Sequence, residues 1–192
     1  MGTTVHADAE DRFAVLLDDV VEPVRRYLAR RTDASSAEDV LSETLLVCWR
    51  RLDEVPVDAP VAWALGVTRN CLANARRSER RRLGLLQRIL HLDPPGAAPS
   101  HAAPGRDASA EGAVDIVTVA LGGLTDRDAE LLRLWAWEEL APREIAVVLG
   151  VSVNAATVRL HRAKARLRAR LSEGARTPSV PDRNGVEGGE EL

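Results

Sequence analysis

Asn154, Ala155, Thr157, Val158, Arg159, His161 and Arg162 fall on one side of a single helical repeat. Asn and Arg can bond base edges with two hydrogen bonds at once, while Val and Ala can touch thymine methyl groups. Between Ser152 and Leu171 there are six Lys or Arg residues and no acidic one, a balance suited to neutralising phosphates. The chemistry on offer is reading of duplex DNA.

The elements that must present this face are legible in the residues on either side. Pro142 fits the first turn of a helix, where its missing N–H needs no partner. Ile145, Ala146 and Leu149 recur at helical spacing, and Gly150 can end that helix in a left-handed conformation. Val151 can fill the angle between two helices and Ser152 can cap the second. Ala156, Leu160, Ala163, Leu167 and Leu171 then form one narrow apolar stripe, which turns the basic face outward. This spacing predicts a helix-turn-helix, with an ordinary helical hairpin bearing a solvated basic face as the plainer alternative.

A second constellation lies upstream. In APVAWALGVTRNCLANARRSERRR, Ala64, Val67, Thr68, Cys71 and Ala75 form an inward stripe. Gly66, Arg69, Asn70, Ala73 and Arg77 therefore look outward, with Asn74 and Arg76 nearby. Small residues among Arg and Asn leave room for a nucleic-acid backbone or an unstacked base, although the Asn side chains suit local capping equally well. Trp63, just outside the stripe, can pack or stack. In SSAEDVLSETLLVCWRRL, expected to begin at a Ser35–Ser36 cap, Leu41, Leu45, Cys48 and Leu52 face inward. Asp39, Glu43, Leu46 and Arg50 lie opposite, and the residues alone leave a protein-binding face and a solvated charged face equally open. The first helical segment carries Phe13, Leu16, Leu17, Val20, Val21, Val24 and Leu28, with Pro23 expected to kink or split it.

The fold expected is all-α: two small helical domains joined by a flexible linker, the second carrying the helix-turn-helix. The boundaries expected are 10–85 for the first domain, 86–114 for the linker, 115–171 for the second domain and 172–192 for a disordered acidic tail. A net charge of −3 over 192 residues hides strong asymmetry, because Arg76–Arg82 and Arg159–Arg170 are basic while 33–58 and the tail are acidic. Cys48 and Cys71 stand apart from any CxxC or Cys/His cluster and read as buried free thiols. No catalytic constellation, cofactor motif or metal spacing occurs, with His6, His91, His101 and His161 scattered, so no enzyme, cofactor or metal site is expected. The apolar runs are too short for membrane insertion, and a cytoplasmic chain is expected.

Taken in order, AEDVLSETLLVCWRRLDEV, PVAWALGVTRNCLANARRSERRR and LTDRDAELLRLWAWEELAPREIAVVLGVSVNAATVRLHRAKARLRARL resemble regions 2 and 4 of the extracytoplasmic-function group of bacterial RNA polymerase sigma factors. The resemblance implies a factor that binds core RNA polymerase and directs it to −10 and −35 promoter elements. It implies contact with the β′ clamp helices through Asp39, Glu43 and Leu46, and with the β flap. It places −10 recognition on Arg69, Asn70, Asn74, Arg76 and Arg77, and capture of a flipped base on the loop Asp53–Pro60. It places −35 recognition on Asn154–Arg162 and the start of region 4 at Thr125–Asp126–Arg127, and it implies an anti-sigma factor as a further partner. Ser42, Val55, the Leu65–Gly66 pair and Pro142 depart from residues common in the group. The competing function is a stand-alone helix-turn-helix regulator with an N-terminal sensing or dimerisation domain, which would bind two symmetric half-sites without polymerase.

Overall fold

The computed structural model describes residues 2–92 and 124–174, with side chains over 7–88 and 124–172. Six α-helices and one short 3-10 turn make up this part, and no strand occurs among the described residues. Helices α1 (Gly2–Ala29), α2 (Ala34–Arg50) and α3 (Pro60–Leu92) form a first unit. Helices α4 (Asp126–Ala136), α5 (Pro142–Leu149) and α6 (Val153–Gly174) form a second. The residues expected as flexible linker from 93 onward, those expected as tail beyond 174, and the side chains of His6, His91 and His101 lie outside the described residues.

Helix α1 runs unbroken through Pro23, so of the kink or split expected there the split does not occur. Loss of one backbone hydrogen bond and a ring clash disfavour this by about 3 kcal/mol or more. Val20, Val24, Tyr27 and Leu28 are all buried on both sides of the proline, and their burial offsets that cost. Helix α2 is capped by Asp33 rather than by Ser35–Ser36: the Asp33 carboxylate accepts from the Ser36 N–H at 3.0 Å. That bond holds the Asp33 carboxyl below its ordinary range.

The buried side of α2 is Val40, Leu41, Thr44 and Cys48, with Leu45 and Leu52 only half-buried. The stripe is thus rotated slightly from the one expected, because a buried Thr is admissible when its hydroxyl returns to the helix. Thr44 donates to the Val40 carbonyl at 2.7 Å, and Thr68 of α3 donates to Ala64 at 2.8 Å. Both cysteines are buried and unpaired, and burial pushes the Cys48 thiol up to about 11.

Helix α3 continues to Leu92, beyond the boundary expected at residue 85. Its inward stripe is the expected one, with Ala64, Val67, Thr68 and Cys71 buried and Ala75 half-buried. A second buried stripe was not anticipated: Ala62, Leu65 and Leu72 are also covered. This side meets α5, whose Val148 carbonyl would lie 3.3 Å from a Cβ at Gly66. The two helical units therefore share one continuous apolar core.

Candidate promoter and polymerase interfaces

The helix-turn-helix is built as its residues dictate. Pro142 opens α5, and the Glu144 carboxylate accepts from the Ala141 N–H at 2.7 Å. Gly150 closes α5 in the left-handed region at φ 62°, and the Val151 N–H reaches the Ala146 carbonyl at 3.0 Å. The chain turns through 107° into α6, within the range of DNA-binding helical pairs. Ser152 Oγ accepts from the Ala155 N–H at 3.2 Å, the cap expected from sequence.

On α6, Ala156, Leu160 and Ala163 are buried, while Asn154, Thr157, Val158, Arg159, His161 and Arg162 are exposed. Ala155 is half-buried, and the Thr157 hydroxyl is spent on the Val153 carbonyl at 2.9 Å. The base-edge donors left on this face are therefore Asn154, Arg159, His161 and Arg162. Farther along, Lys164 lies 3.4 Å over the Trp135 ring, where desolvation, with Arg168 adding to it, lowers its pKa.

On α3, Arg69, Asn70, Asn74, Arg76 and Arg77 are all exposed, forming a polar and basic strip along two turns. Three of these side chains are engaged within the protein. Arg76 donates to the Arg31 carbonyl at 2.6 Å, and Arg77 donates to Asn74 Oδ1 at 2.5 Å. Asp39, Glu43 and Leu46 are exposed together on α2, giving an acidic face that ends in an exposed Leu. Trp63 is half-buried with the Arg51 guanidinium 5.6 Å from its ring.

The loop from Asp53 to Pro60 starts from the 3-10 turn Leu52–Glu54, which Arg51 braces with two hydrogen bonds to Glu54. Those bonds hold the Glu54 carboxyl below its ordinary range. Sequence reasoning singled out Val55 here, yet Val55 is half-buried and Val57 is the exposed apolar residue, at 99 %. No periodic signal in a loop could have separated the two.

The α3 and α6 faces meet across one cleft. Arg69 lines it from α3, and Arg159, Arg162 and Arg166 line it from α6. Thr125 and Arg127 stand on its wall with Asp126, Asp128 and Glu130. Thr125 caps α4 by accepting from the Asp128 N–H at 3.2 Å, and Arg166 pairs with the Asp128 carboxylate. The cleft holds about 840 Å³. Its cations outnumber its anions, so it favours polyanions. Among the described residues, no group of three or more His, Cys, Asp or Glu could hold a metal ion.

The family model for sigma-70 region 2 matches residues 16–82, and that for sigma-70 region 4 matches residues 115–167. Thirty per cent identity over 142 residues links the chain to the RNA polymerase sigma factor CnrH of Cupriavidus metallidurans, covering 71 % of this chain and 74 % of that one. The chain belongs to the extracytoplasmic-function group of sigma-70 factors. The ECF RNA polymerase sigma factor SigL of Mycobacterium tuberculosis is 29 % identical over 163 residues, covering 82 % and 88 % of the two chains. The fold is shared with the sigma factor RpoE of Bartonella quintana, solved with the anti-sigma factor NepR. That likeness has a TM-score of 0.51 at 19 % identity, over 86 % of this chain and 97 % of that one. It is also shared with the PhyRSL–NepR complex of Sphingomonas sp. Fr1, with a TM-score of 0.54 at 18 % identity, over 92 % and 95 %. The sigma factor directs RNA polymerase to promoters and is a transcription initiation factor, not an enzyme. Among the described residues, no single helix is long and apolar enough to cross a membrane.

Proposed function

We propose that this sigma factor is a two-point ruler on promoter DNA, with α6 reading the −35 element and α3 holding the −10 element. The observation that carries this reading is the pair of exposed Asn/Arg faces, one in each sigma-70 region, on separate helices. Asn154, Ala155, Thr157, Val158, Arg159, His161 and Arg162 enter the major groove, with Asn154 and Arg162 as base-edge donors. Arg69, Asn70, Asn74, Arg76 and Arg77 line the path of the opened strand, and the loop around Val57 receives an unstacked base. Residues 10–85, extended by α3 to Leu92, and residues 115–171 are the two domains, with the rest of 86–114 as linker and 172–192 as tail. The twenty residues 93–112 within it reach roughly 65 Å when extended. Two elements separated by under two turns of duplex lie roughly 60 Å apart, so this tether spans them.

Asp39, Glu43 and Leu46 form the face for the β′ clamp helices, and region 4 meets the β flap. An acidic pair followed by an exposed Leu fits a basic helical partner with an apolar patch beside its charges. Unstacking costs a few kcal/mol per base. The sequence carries no nucleotide-binding loop, so capture of unpaired bases and polymerase binding drive opening. The protein works in the cytoplasm, and an anti-sigma factor holds it silent, a reading supported by the NepR complex of its structural relative.

Run-off transcription with core polymerase tests this. The wild-type chain gives transcripts from a cognate promoter, and Asp39→Arg/Glu43→Arg reduces them by a factor on the order of one hundred, because like charges now face each other at several kcal/mol. Tight sequence-specific binding by the protein alone, with no initiation on any promoter in a library, would sink the reading.

A further inference from the structure

Four guanidinium groups on the walls of the cleft make no hydrogen bond or ion pair with the described residues. They come from three helices: Arg69 from α3, Arg127 from the first turn of α4, and Arg159 and Arg162 from α6. The carboxylates beside them are largely spent. Asp128 is buried and pairs with Arg166. Glu130 accepts from the Tyr27 hydroxyl at 3.2 Å and lies 3.7 and 3.8 Å from the Arg31 and Arg133 guanidiniums. Asp126 is the lining carboxylate left without such a partner, so one free anion faces four free cations. Leu131 is buried and Leu149 and Val151 are half-buried, so the deeper lining is apolar. The walls are fixed by a contact outside the cleft: Arg31 Nη1 donates to Glu138 Oε1 at 2.9 Å, joining the turn after α1 to the loop after α4.

We propose that this cleft is a binding site for a nucleoside triphosphate, with the phosphate chain among Arg69, Arg127, Arg159 and Arg162 and the base over the apolar lining. Charge sets the class of ligand. Four free guanidiniums against one free carboxylate leave a positive surplus of three, which a chain of three phosphates matches. Guanidinium forks suit phosphate oxygens because two parallel N–H groups can bond one phosphate. An inorganic anion leaves the apolar lining in water, whereas a flat base covers it. Asp126 supplies an acceptor for hydroxyl or amino groups of the nucleoside. The volume of about 840 Å³ lies within the range of roughly 300–1,000 Å³ usual for small-molecule sites. Side-chain guanidiniums, rather than a Gly-rich loop, hold the phosphates, and the role proposed is binding alone.

The site borrows from the promoter faces but is not one of them. Duplex DNA offers a major groove about 12 Å wide for a helix to enter, and a duplex cannot itself enter a cleft of this size. Arg127 and Asp126 stand on neither reading face, and three carboxylates in the lining suit a hydrogen-bonded small molecule better than a phosphate backbone. A nucleotide held by Arg159 and Arg162 competes with the −35 duplex for both side chains. That consequence rests on the −35 reading above, while the site itself does not. Promoter binding by the free factor therefore weakens as nucleoside triphosphate rises.

Calorimetric titration of the full chain with ATP and with GTP at fixed salt tests the site without DNA. One equivalent of at least one of these nucleotides binds saturably. Inorganic tripolyphosphate and adenosine each bind at least about tenfold more weakly, because each lacks one half of the recognition. Arg127→Ala and Arg69→Ala, on separate walls, each weaken nucleotide binding at least about tenfold, a usual effect of losing a hydrogen bond to a charged group. Circular dichroism shows full helicity in both. Nucleotide also displaces a labelled −35 duplex from the wild-type chain at low salt. With Arg127→Ala the duplex binds as before, and displacement needs at least about tenfold more nucleotide. Three results each overturn the site: no saturable binding of either nucleotide, tripolyphosphate binding as tight as ATP and GTP, or undiminished nucleotide binding in both helical variants. Nucleotide binding that leaves the bound duplex in place overturns the competition. A wild-type chain that binds nucleotide but no −35 duplex overturns the −35 reading instead, and the calorimetric result stands apart from it.

Discussion

Helices α3 and α6 both carry an Arg-rich face, but α3 is gripped on two sides and α6 on one. Along α3, Ala64, Val67, Thr68 and Cys71 pack toward α1 and α2, while Ala62, Leu65 and Gly66 turn toward α5. Along α6, burial is limited to Ala156, Leu160 and Ala163, with Leu167 partly covered. A strip that holds melted DNA has to stay rigid while the nucleic acid deforms, and two-sided packing supplies that. A helix that inserts into a groove has to leave most of its circumference free. On the proposed assignment the same composition serves two mechanical roles, and packing rather than charge distinguishes them.

The sharpest way to break this contrast is to remove one large anchor from each helix. Among the described residues Leu160 is the only large buried side chain on α6, so Leu160→Ala should cost about 2–5 kcal/mol of stability, toward the upper end because its buried neighbours on the helix are alanines. Leu72→Ala on α3 should fall toward the lower end, since Leu65, Val67 and Cys71 continue to hold that helix. Urea unfolding monitored by helicity measures both. Equal losses would show that α6 is braced as firmly as α3.

Much of this was legible in the residues, and the boundary of legibility is physical. Gly150, Ser152 and the Ala156–Leu160–Ala163 stripe act within a turn or two of chain, where spacing alone determines geometry. The inward stripe of α3 was readable for the same reason. The stripe through Ala62, Leu65 and Gly66 was not, because its partner α5 lies about eighty residues downstream and a small residue facing outward reads equally as room for DNA. Arg31 and Glu138 are separated by 107 positions, and neither stands in a motif. Pro23 shows the limit in the other direction: local preference allowed a kink or a split, and with Val20, Val24 and Leu28 buried on both sides the helix is not split.

A smaller effect separates the two reading faces by the kind of contact each makes. Arg162→Ala should weaken binding of the −35 duplex by about 1–3 kcal/mol and relax base preference at one position, leaving the salt dependence unchanged. Arg77 is held against Asn74 at 2.5 Å, a posture that suits a fixed cation beside a phosphate. Arg77→Ala should therefore weaken binding of an opened −10 strand about equally for all sequences and lower the salt slope by about 1. The measurement is anisotropy across a salt series with a panel of single-base variants. An exchange of these two signatures would reverse the roles of the helices.

The smallest effect concerns how α6 begins. Its first turn rests on Ser152 Oγ accepting the Ala155 N–H, while α3 begins at Pro60, whose ring fixes the backbone. Ser152→Ala should cost about 0.5–2 kcal/mol and weaken −35 binding in step, because Asn154 and Ala155 stand in the turn that frays. Ser152→Asp keeps a capping oxygen and adds a favourable charge at the helix start, so stability is retained or slightly raised. The same carboxylate faces the phosphates that flank the groove, so affinity still falls. Stability and affinity therefore move together in the first variant and apart in the second. If both variants lose affinity only in proportion to stability, the start of α6 does not approach DNA and the reading face begins a turn later.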